Sequence, residues 1–358
     1  MKVIHCADLH LESKIDSIPS VKAKKRREEL LRTFEKLCDY ASTSQVQAVI
    51  IAGDMFDTNK VSIKTQTRIM YAIENCKDVD FLYLSGNHDD DSFISDLEKL
   101  PDNLKVFGTE WTYFNYGNVC IAGVNFDGYN NKIIYDTLKL DENNVNIAVL
   151  HGQVAGYIST EKADVISIPA LKNKNIDYLA LGHIHFYDCK PLDDRGEYCY
   201  SGCLDGRGFD ELGKKGFVLL DIDGNKVNKE FIEFSSRQFH EYVYDVTNVP
   251  SFYDARSQIL GGLLKTCNSE DLIKVVLKGE HDTNFDVDKE GLANYLSESF
   301  FFVKVYDKTE LKIDLNDYLY DKSVRGEFVR QVWESDLDKE EKQKIIMCGL
   351  NALKGEDM

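Results

Sequence analysis

The chain has 358 residues, 43% of them hydrophobic and 29% charged, with 61 Asp+Glu against 43 Lys+Arg. That is material for a sizeable core and, at about 100–200 residues each, two domains. The net charge of −18 excludes a general binder of phosphate backbones or anionic membranes unless bound cations intervene.

The N-terminal run Lys2–Ala7 reads as a short strand ending in Asp8-Leu9-His10. It reaches His5 and Asp8 too early for a secretory leader. Residues 22–41 follow as an amphipathic helix, with Leu30, Leu31, Phe34, Leu37 and Cys38 near a 3.6 spacing. Ala48–Ala52 is a β-branched run of the buried type and ends in Gly53-Asp54-Met55-Phe56-Asp57. A helix over 65–75 leads to the strand Phe81–Leu84 and to Gly86-Asn87-His88-Asp89. Two further apolar strands, Ile147–Leu150 and Tyr178–Leu181, end in His151-Gly152 and in Gly182-His183-Ile184-His185. Strands alternating with helices predict an α/β fold with buried strands.

Five strands thus deliver metal-competent side chains to one edge, and ligands of α/β sheets gather beyond the carboxyl ends of strands. A single Asp-x-His or Gly-Asp turn is ordinary turn chemistry; five in one context are not. Asp8, His10, Asp54, Asn87, His151, His183 and His185 are the candidate ligands. Carboxylate, imidazole and amide oxygen without thiolate suit Mn²⁺, Fe²⁺ or Zn²⁺. Seven ligands exceed one site. They fit two ions about 3.5–4 Å apart sharing a carboxylate, the arrangement that clamps a phosphoryl group. Asp54, ending the most apolar strand, is the natural bridge.

The nine cysteines are scattered, and Cys189, Cys199 and Cys203 lack the second pair of a zinc site. Thiols in a reducing cytoplasm are expected rather than disulfides. No stretch of about 18 apolar residues suggests a membrane span.

The strand-end motifs resemble, in order and spacing, the calcineurin-like metallophosphoesterase superfamily over about residues 1–235. Within it they are most similar to the DNA-repair exonuclease branch, the SbcD/Mre11 group with its YhaO-type members. Ala7-Asp8-Leu9-His10-Leu11, the later Tyr200-Ser201-Gly202 and the run Gly206-Arg207-Gly208-Phe209 carry that narrower likeness. The resemblance implies a β-sandwich flanked by helices (αββα) over residues 1–236, a small α+β capping domain over 237–322 and a helical tail over 323–358. It implies one metal on Asp8, His10, Asp54 and His185, and a second on Asp54, Asn87, His151 and His183. Mn²⁺ is favoured ahead of Fe²⁺, Zn²⁺ or Mg²⁺. It further implies a metal-bridging hydroxide that attacks phosphorus, with His88 protonating the leaving oxygen and Asp57 holding the His88 imidazole. Archaeal nucleases of the group carry His where this chain has Asp57. The Asp-Arg-Gly turn of protein serine/threonine phosphatases is absent, since Thr58 and Asn59 follow Asp57.

The implied activity is hydrolysis of DNA phosphodiesters, by an exonuclease with endonuclease action as an extension. The implied partners are DNA and an SbcC/Rad50-type coiled-coil ATPase, and homodimers are common in the group. The same chemistry on a nucleotide, cyclic nucleotide or phosphoprotein is the alternative, and a non-catalytic scaffold of the same fold is another. Substrate contacts are sought in Arg26 and Arg27 of the run Lys22–Arg27, in Lys60 after the second motif, and in Arg207. In the C-terminal third, strands near 241–246, 272–277 and 300–305 and helices near 257–264 and 290–296 are expected. Two helices follow between 324 and 353.

Overall fold

The computed structural model describes residues 1–57, 61–89, 100–157, 164–282, 285–312, 318 and 320–354. The chain divides into two compact units, Met1–Phe239 and His240–Met358.

The first unit runs β1 (Lys2–Cys6), α1 (Ser20–Thr43), β2 (Ala48–Ala52), α2 (Ile63–Asn75), β3 (Asp80–Leu84), β4 (Leu104–Val106), β5 (Thr112–Tyr116), β6 (Val119–Gly123), α3 (Ile133–Thr137), β7 (Val145–His151), β8 (Gln153–Val154), β9 (Val165–Ile166), α4 (Ile168–Leu171), β10 (Tyr178–Gly182), β11 (Asp188–Pro191), β12 (Glu197–Tyr200), β13 (Gly216–Asp223) and β14 (Lys226–Glu233). These strands make two six-stranded sheets, ordered β14-β13-β1-β2-β3-β4 and β11-β12-β10-β7-β6-β5. In the first, β1 to β4 are parallel and β13 pairs antiparallel with β1. In the second, β6, β7, β10 and β12 are parallel and the edge strands β5 and β11 antiparallel.

The period-2 alternation of strands explains the layers. Val3, Ala48, Ile50 and Leu82 of the first sheet share one core with Ile121, Ile147, Val149 and Ala180 of the second. The intervening residues Ile4, Val49, Ile51 and Phe81 are also buried. Parallel strands covered on both faces need such continuous apolar runs. Tyr40 of α1 lies 5.2 Å from Phe217 of β13, and the far side of the second sheet packs on Ile134 and Tyr135 of α3. The result is a β-sandwich flanked by helices. Because β1, β2 and β3 are parallel neighbours, as are β7 and β10, their carboxyl ends share an edge within each sheet.

The second unit holds β15 (Phe239–Asp245, entering from the first), α5 (Phe252–Leu263), β16 (Leu272–His281), α6 (Lys289–Ser297), β17 (Phe302–Leu311), α7 (Val324–Glu334) and α8 (Lys339–Lys354). Its sheet, ordered β15-β16-β17, buries Ile273, Val275 and Val303 against Ile259 and Leu263 of α5 and Leu292 and Leu296 of α6. Val329 of α7 and Ile346 and Leu350 of α8 form a separate small cluster with Tyr318.

One expectation is corrected. Cys189 and Cys199 are register partners on β11 and β12, and the structure joins them in a disulfide. Antiparallel register puts both side chains on one face with Cα atoms 4.1 Å apart, a juxtaposition invisible in the spacing of the cysteines. The cysteines outside this pair are free. No helix among the described residues is long and apolar enough to cross a membrane.

Candidate metal centre

The turns after β1, β2, β3, β7 and β10 converge. Asp8, His10 and His185 bring ligand atoms within 4.8 Å of one another, and so do Asp54, His151 and His183. A third group of this kind is His10, Asp57 and His88. Asp8, His10, Asp54, His151 and His183 are buried. The backbone is bent to present them: Asp8 (φ 52°), His10 (φ 44°), Asp54 (φ 52°) and His183 (φ 101°) all sit at positive φ. A non-glycine residue there costs of order 1–3 kcal/mol, which surrounding structure must offset.

That offset is a lattice of hydrogen bonds between turns. The His183 N–H donates to both Asp8 oxygens, at 2.8 and 3.1 Å. The His88 N–H donates to Asp54 Oδ1 at 2.9 Å. Asp89 accepts from the N–H groups of Gly86 (2.9 Å), Phe56 (2.9 Å) and Met55 (3.2 Å), locking the second turn to the third. Burial holds the Asp89 carboxyl above its usual range despite these donors.

The donor set fits metal ions on a stereochemical test. His151 Nδ1 lies 2.9 Å from the Ala52 carbonyl oxygen, so in the neutral ring Nδ1 carries the proton and Nε2 a lone pair. That lone pair faces Asn87 Oδ1 at 3.0 Å and Asp54 Oδ2 at 3.3 Å. Asp54 Oδ2 is buried without a hydrogen-bond partner. It lies 3.8 Å from His10 Nε2, between the two ligand groups. His10 Nδ1 is 3.2 Å from Asp57 Oδ1 and His185 Nδ1 is 2.8 Å from Glu211 Oε1. Both Nε2 atoms are thereby left as lone pairs, 3.2 Å apart. Acceptors crowded together in this way call for a positive charge among them, a proton or a metal ion. Ligand atoms about 2.0–2.1 Å from one ion at tetrahedral to octahedral angles lie ~2.8–3.4 Å apart, which matches the 3.0, 3.3 and 3.2 Å contacts of His151 and of the His10–His185 pair, while the His10–Asp54 separation is longer.

A proton and a metal compete for these sites. Burial pushes the His151 imidazole down, but Asp54 and Asp8 outweigh it and hold it up to about 10. Burial likewise opposes ionisation of Asp54, and His151 and His10 reverse it, keeping that carboxyl far below its usual range. His185 is desolvated too, yet Glu211 raises it.

His88 shares the third group with His10 and Asp57. Its Nδ1 is 3.5 Å from Asp57 Oδ1 with its side chain 28% exposed, so it reaches solvent, as the adjacent exposed Asn87 does. Asp57 is held low against its burial by His10, Arg207 and His88.

The expected substrate contacts fare unevenly. Arg26 is fully buried. Its guanidinium donates to Asp205, Glu29, Ser236 and the Gly206 carbonyl, so it is an internal strut rather than a substrate contact. Arg207 is likewise turned inward, donating to Glu211 at 2.8 Å and to Asp57 at 3.3 Å. Helix and loop positions alone could not reveal these carboxylate partners. Arg27 lines a surface cleft, and Lys60 lies outside the described residues.

Sequence reasoning passed over Glu211 and the structural part of Asp89. Three glycines, Gly53, Gly86 and Gly182, also shape the centre. A Cβ on Gly53, itself at φ +91°, would lie 2.1 Å from His151 Nδ1; one on Gly86 would lie 2.1 Å from Asp54 Oδ1; one on Gly182 would lie 1.9 Å from the Ala52 oxygen. Their signal was in plain view, as each immediately precedes a ligand residue in the chain or ends the strand that carries one.

Comparison with known proteins agrees with this geometry. YhaO of Bacillus subtilis, described as an uncharacterized metallophosphoesterase, is 24% identical over 293 residues, covering 77% of this chain and 71% of its own. The DNA double-strand break repair protein Mre11 of Sulfolobus acidocaldarius is 24% identical over 259 residues, 66% of this chain and 64% of its own. The SbcD component of the nuclease SbcCD from Staphylococcus saprophyticus is 21% identical over 393 residues, 100% of this chain and 94% of its own. Residues 1–187 match the family model described as calcineurin-like phosphoesterase, and with two convergent ligand groups at its strand ends the chain belongs to that family of metal-dependent phosphoester hydrolases.

Proposed function

We propose that this chain is a two-metal phosphodiesterase that hydrolyses DNA, acting as an exonuclease in repair or recombination. The observation that carries the reading is the complete ligand set, with Asp54 Oδ2 between its two groups, beside a solvent-reaching His88. Asp8, His10, Asp54 and His185 would hold one ion, and Asp54, Asn87, His151 and His183 the other, with Mn²⁺ the favoured metal. When bound, such ions neutralise phosphoryl oxygens and bring water into the range of hydroxide at neutral pH.

The chain's own groups do the rest. Ala52, Asp57 and Glu211 fix the tautomers of His151, His10 and His185, so that Nε2 of each is the nitrogen that would bind a metal. Asp57, kept ionised by His10, Arg207 and His88, orients the His88 imidazole and favours its protonated form. His88 then donates that proton to the departing sugar oxygen. General-acid help of this kind is worth about 10²–10⁴-fold.

DNA as substrate rests on the relatives Mre11 and SbcD and on the unit that follows residue 239. The same likeness suggests a coiled-coil ATPase of the SbcC/Rad50 type as partner, and homodimerisation. The test is nucleotide release from linear single- and double-stranded DNA with Mn²⁺ and with EDTA, beside His88→Ala, with bis-p-nitrophenyl phosphate as a generic diester. Metal-dependent DNA degradation lost in the variant supports the nuclease. Diester cleavage with DNA untouched moves the reading to a nucleotide or another small phosphoester.

A further inference from the structure

We propose that the cleft between α1 and the N-terminal turn of α2 is a groove for the phosphate backbone of a polynucleotide strand whose scissile diester lies at the metal centre. The proposal rests on the DNA reading above and extends it from a reacting bond to a length of strand.

The cleft encloses about 800 Å³ and is lined on one side by Lys24, Arg27 and Leu31 of α1 and on the other by Leu11, Glu12 and Lys64. The wall opposite α1 continues the metal loops. Leu11 follows the candidate ligand His10, about 3.8 Å of chain away. Its N–H donates to the Met55 carbonyl and its carbonyl accepts from the Asp57 N–H, at 2.9 and 3.3 Å. Lys64 opens the helix that follows the Asp54–Asp57 turn. The Glu12 carboxylate braces that wall, tying the Leu11 turn to the start of α2 by accepting from the Ser62 N–H at 2.9 Å and from the Thr65 hydroxyl at 2.5 Å.

Charge identifies the occupant. Every carboxylate of the lining is spent on partners inside the wall. Glu12 is held by Ser62 and Thr65, Glu28 by Arg68, and Glu29 by Arg26 and Arg237. The cations are not spent in the same way. Among the described residues, Lys24, Arg27 and Lys64 have no ion pair. Lys24 and Lys64 are exposed and Arg27 half-exposed. A chain of net charge −18 thus keeps three uncompensated cations around one cleft, beginning beside its metal centre. An extended polyanion matches that arrangement. A lone nucleotide at the metals would be too short to follow the groove, so the cleft would favour polymer over monomer. Backbone contacts of this kind position a strand without reading its sequence.

The triple variant Lys24→Ala/Arg27→Ala/Lys64→Ala tests it in the metal-loaded protein. The first readout is fluorescence anisotropy with a labelled oligonucleotide of about 12 nucleotides, in a His88→Ala background so that binding is read apart from turnover. Removing three phosphate contacts should weaken binding at least tenfold at moderate salt, and flatten the log–log salt slope by about 2. The second readout is the ratio of kcat/KM for the oligonucleotide to that for bis-p-nitrophenyl phosphate, which should fall at least tenfold. Matching thermal midpoints and metal contents establish that the variant is folded and loaded. An unchanged salt slope and ratio would make the cleft an ordinary solvated helix face and overturn the proposal. So would displacement of the oligonucleotide by pyrophosphate at equal charge, which would make it a small-anion pocket. The two readings separate cleanly. Strand binding lost in the variant with no DNA hydrolysis by the parent sinks the nuclease and keeps the groove. DNA hydrolysis indifferent to the three substitutions does the reverse.

Discussion

Both units end parallel strands in histidine, and the two outcomes differ. His151 ends β7 and presents Nε2 to Asn87 Oδ1 and Asp54 Oδ2 at 3.0 and 3.3 Å. His281 ends β16, and its Nδ1 meets the carbonyl oxygen of its own neighbour Asp282 at 2.8 Å. His240, on β15, is paired with Asp271 at 3.0 Å. No metal-competent group forms around either among the described residues of the second unit. Strand-end position therefore does not make a ligand. A histidine becomes one when a second group fixes its tautomer and its remaining lone pair is aimed at other acceptors. His5 shows a third fate: deep in the sandwich beside Tyr178 Oη at 2.9 Å, it is driven down to about 3 by burial and stays neutral.

The contrast breaks most severely at the bridge. Asp54→Ala removes the carboxylate between the two ligand groups, so both ions and diester hydrolysis should be lost. Metal analysis beside the rate checks it; two retained ions would show that Asp54 is not a bridge. Gly86→Ala should come next. Its Cβ would meet Asp54 Oδ1 at 2.1 Å and Asp54 N at 2.4 Å, and backbone cannot yield cheaply. Metal content and thermal midpoint should fall together, whereas alanine at Gly117, with nothing within 4 Å, meets no such clash. His88→Ala should separate chemistry from binding, losing about 10²–10⁴-fold in rate with both metals in place. An emptied site in that variant would make His88 a ligand.

Glu211→Gln probes the support instead of the ligand. The carboxylate holds His185 Nδ1 at 2.8 Å and is itself kept ionised, against burial, by His185 and Arg207. Loss of such an outer partner typically costs about 10–100-fold in metal affinity or activity. Titrating metal into the apoprotein measures it, and an unchanged affinity would mean the His185 tautomer needs no help.

Glu211 also marks the limit of what the chain's letters reveal. The strands that carry ligands were legible because buried parallel strands demand uninterrupted apolar runs, as in Ala48–Ala52, and the turn after each is a short contiguous motif. The edge strands β11 and β14 were not, because edge strands mix with polar residues, as in Lys226–Glu233. Ligands came from local motifs; their supports came from across the fold. Glu211 reaches His185 over 26 residues and Asp205 reaches Arg26 over 179. A carboxylate with such a partner looks in sequence like any surface acid, and Arg26 looked like any surface base. The disulfide of β11 and β12 was hidden for the same reason, since register decides it.

The smallest expected effect lies in the second unit, where histidine and carboxylate satisfy each other. The Asp271 and Cys267 side chains raise His240 to about 9 against its partial burial. A group raised on folding contributes stability that is fully present below its unfolded value of about 6.5. That contribution fades as pH rises through the folded value. The pair is partly exposed, with 22% of the His240 side chain accessible, so solvent screening limits it to about 1 kcal/mol. Asp271→Asn should therefore destabilise the protein by about that amount near pH 6 and progressively less between about pH 6.5 and 9. Denaturant unfolding across that window reads it out. The same substitution should leave metal content unchanged, which is where the two units part: an acid removed beside His240 costs a pH-dependent increment of stability, and an acid removed beside His151 costs the metal centre.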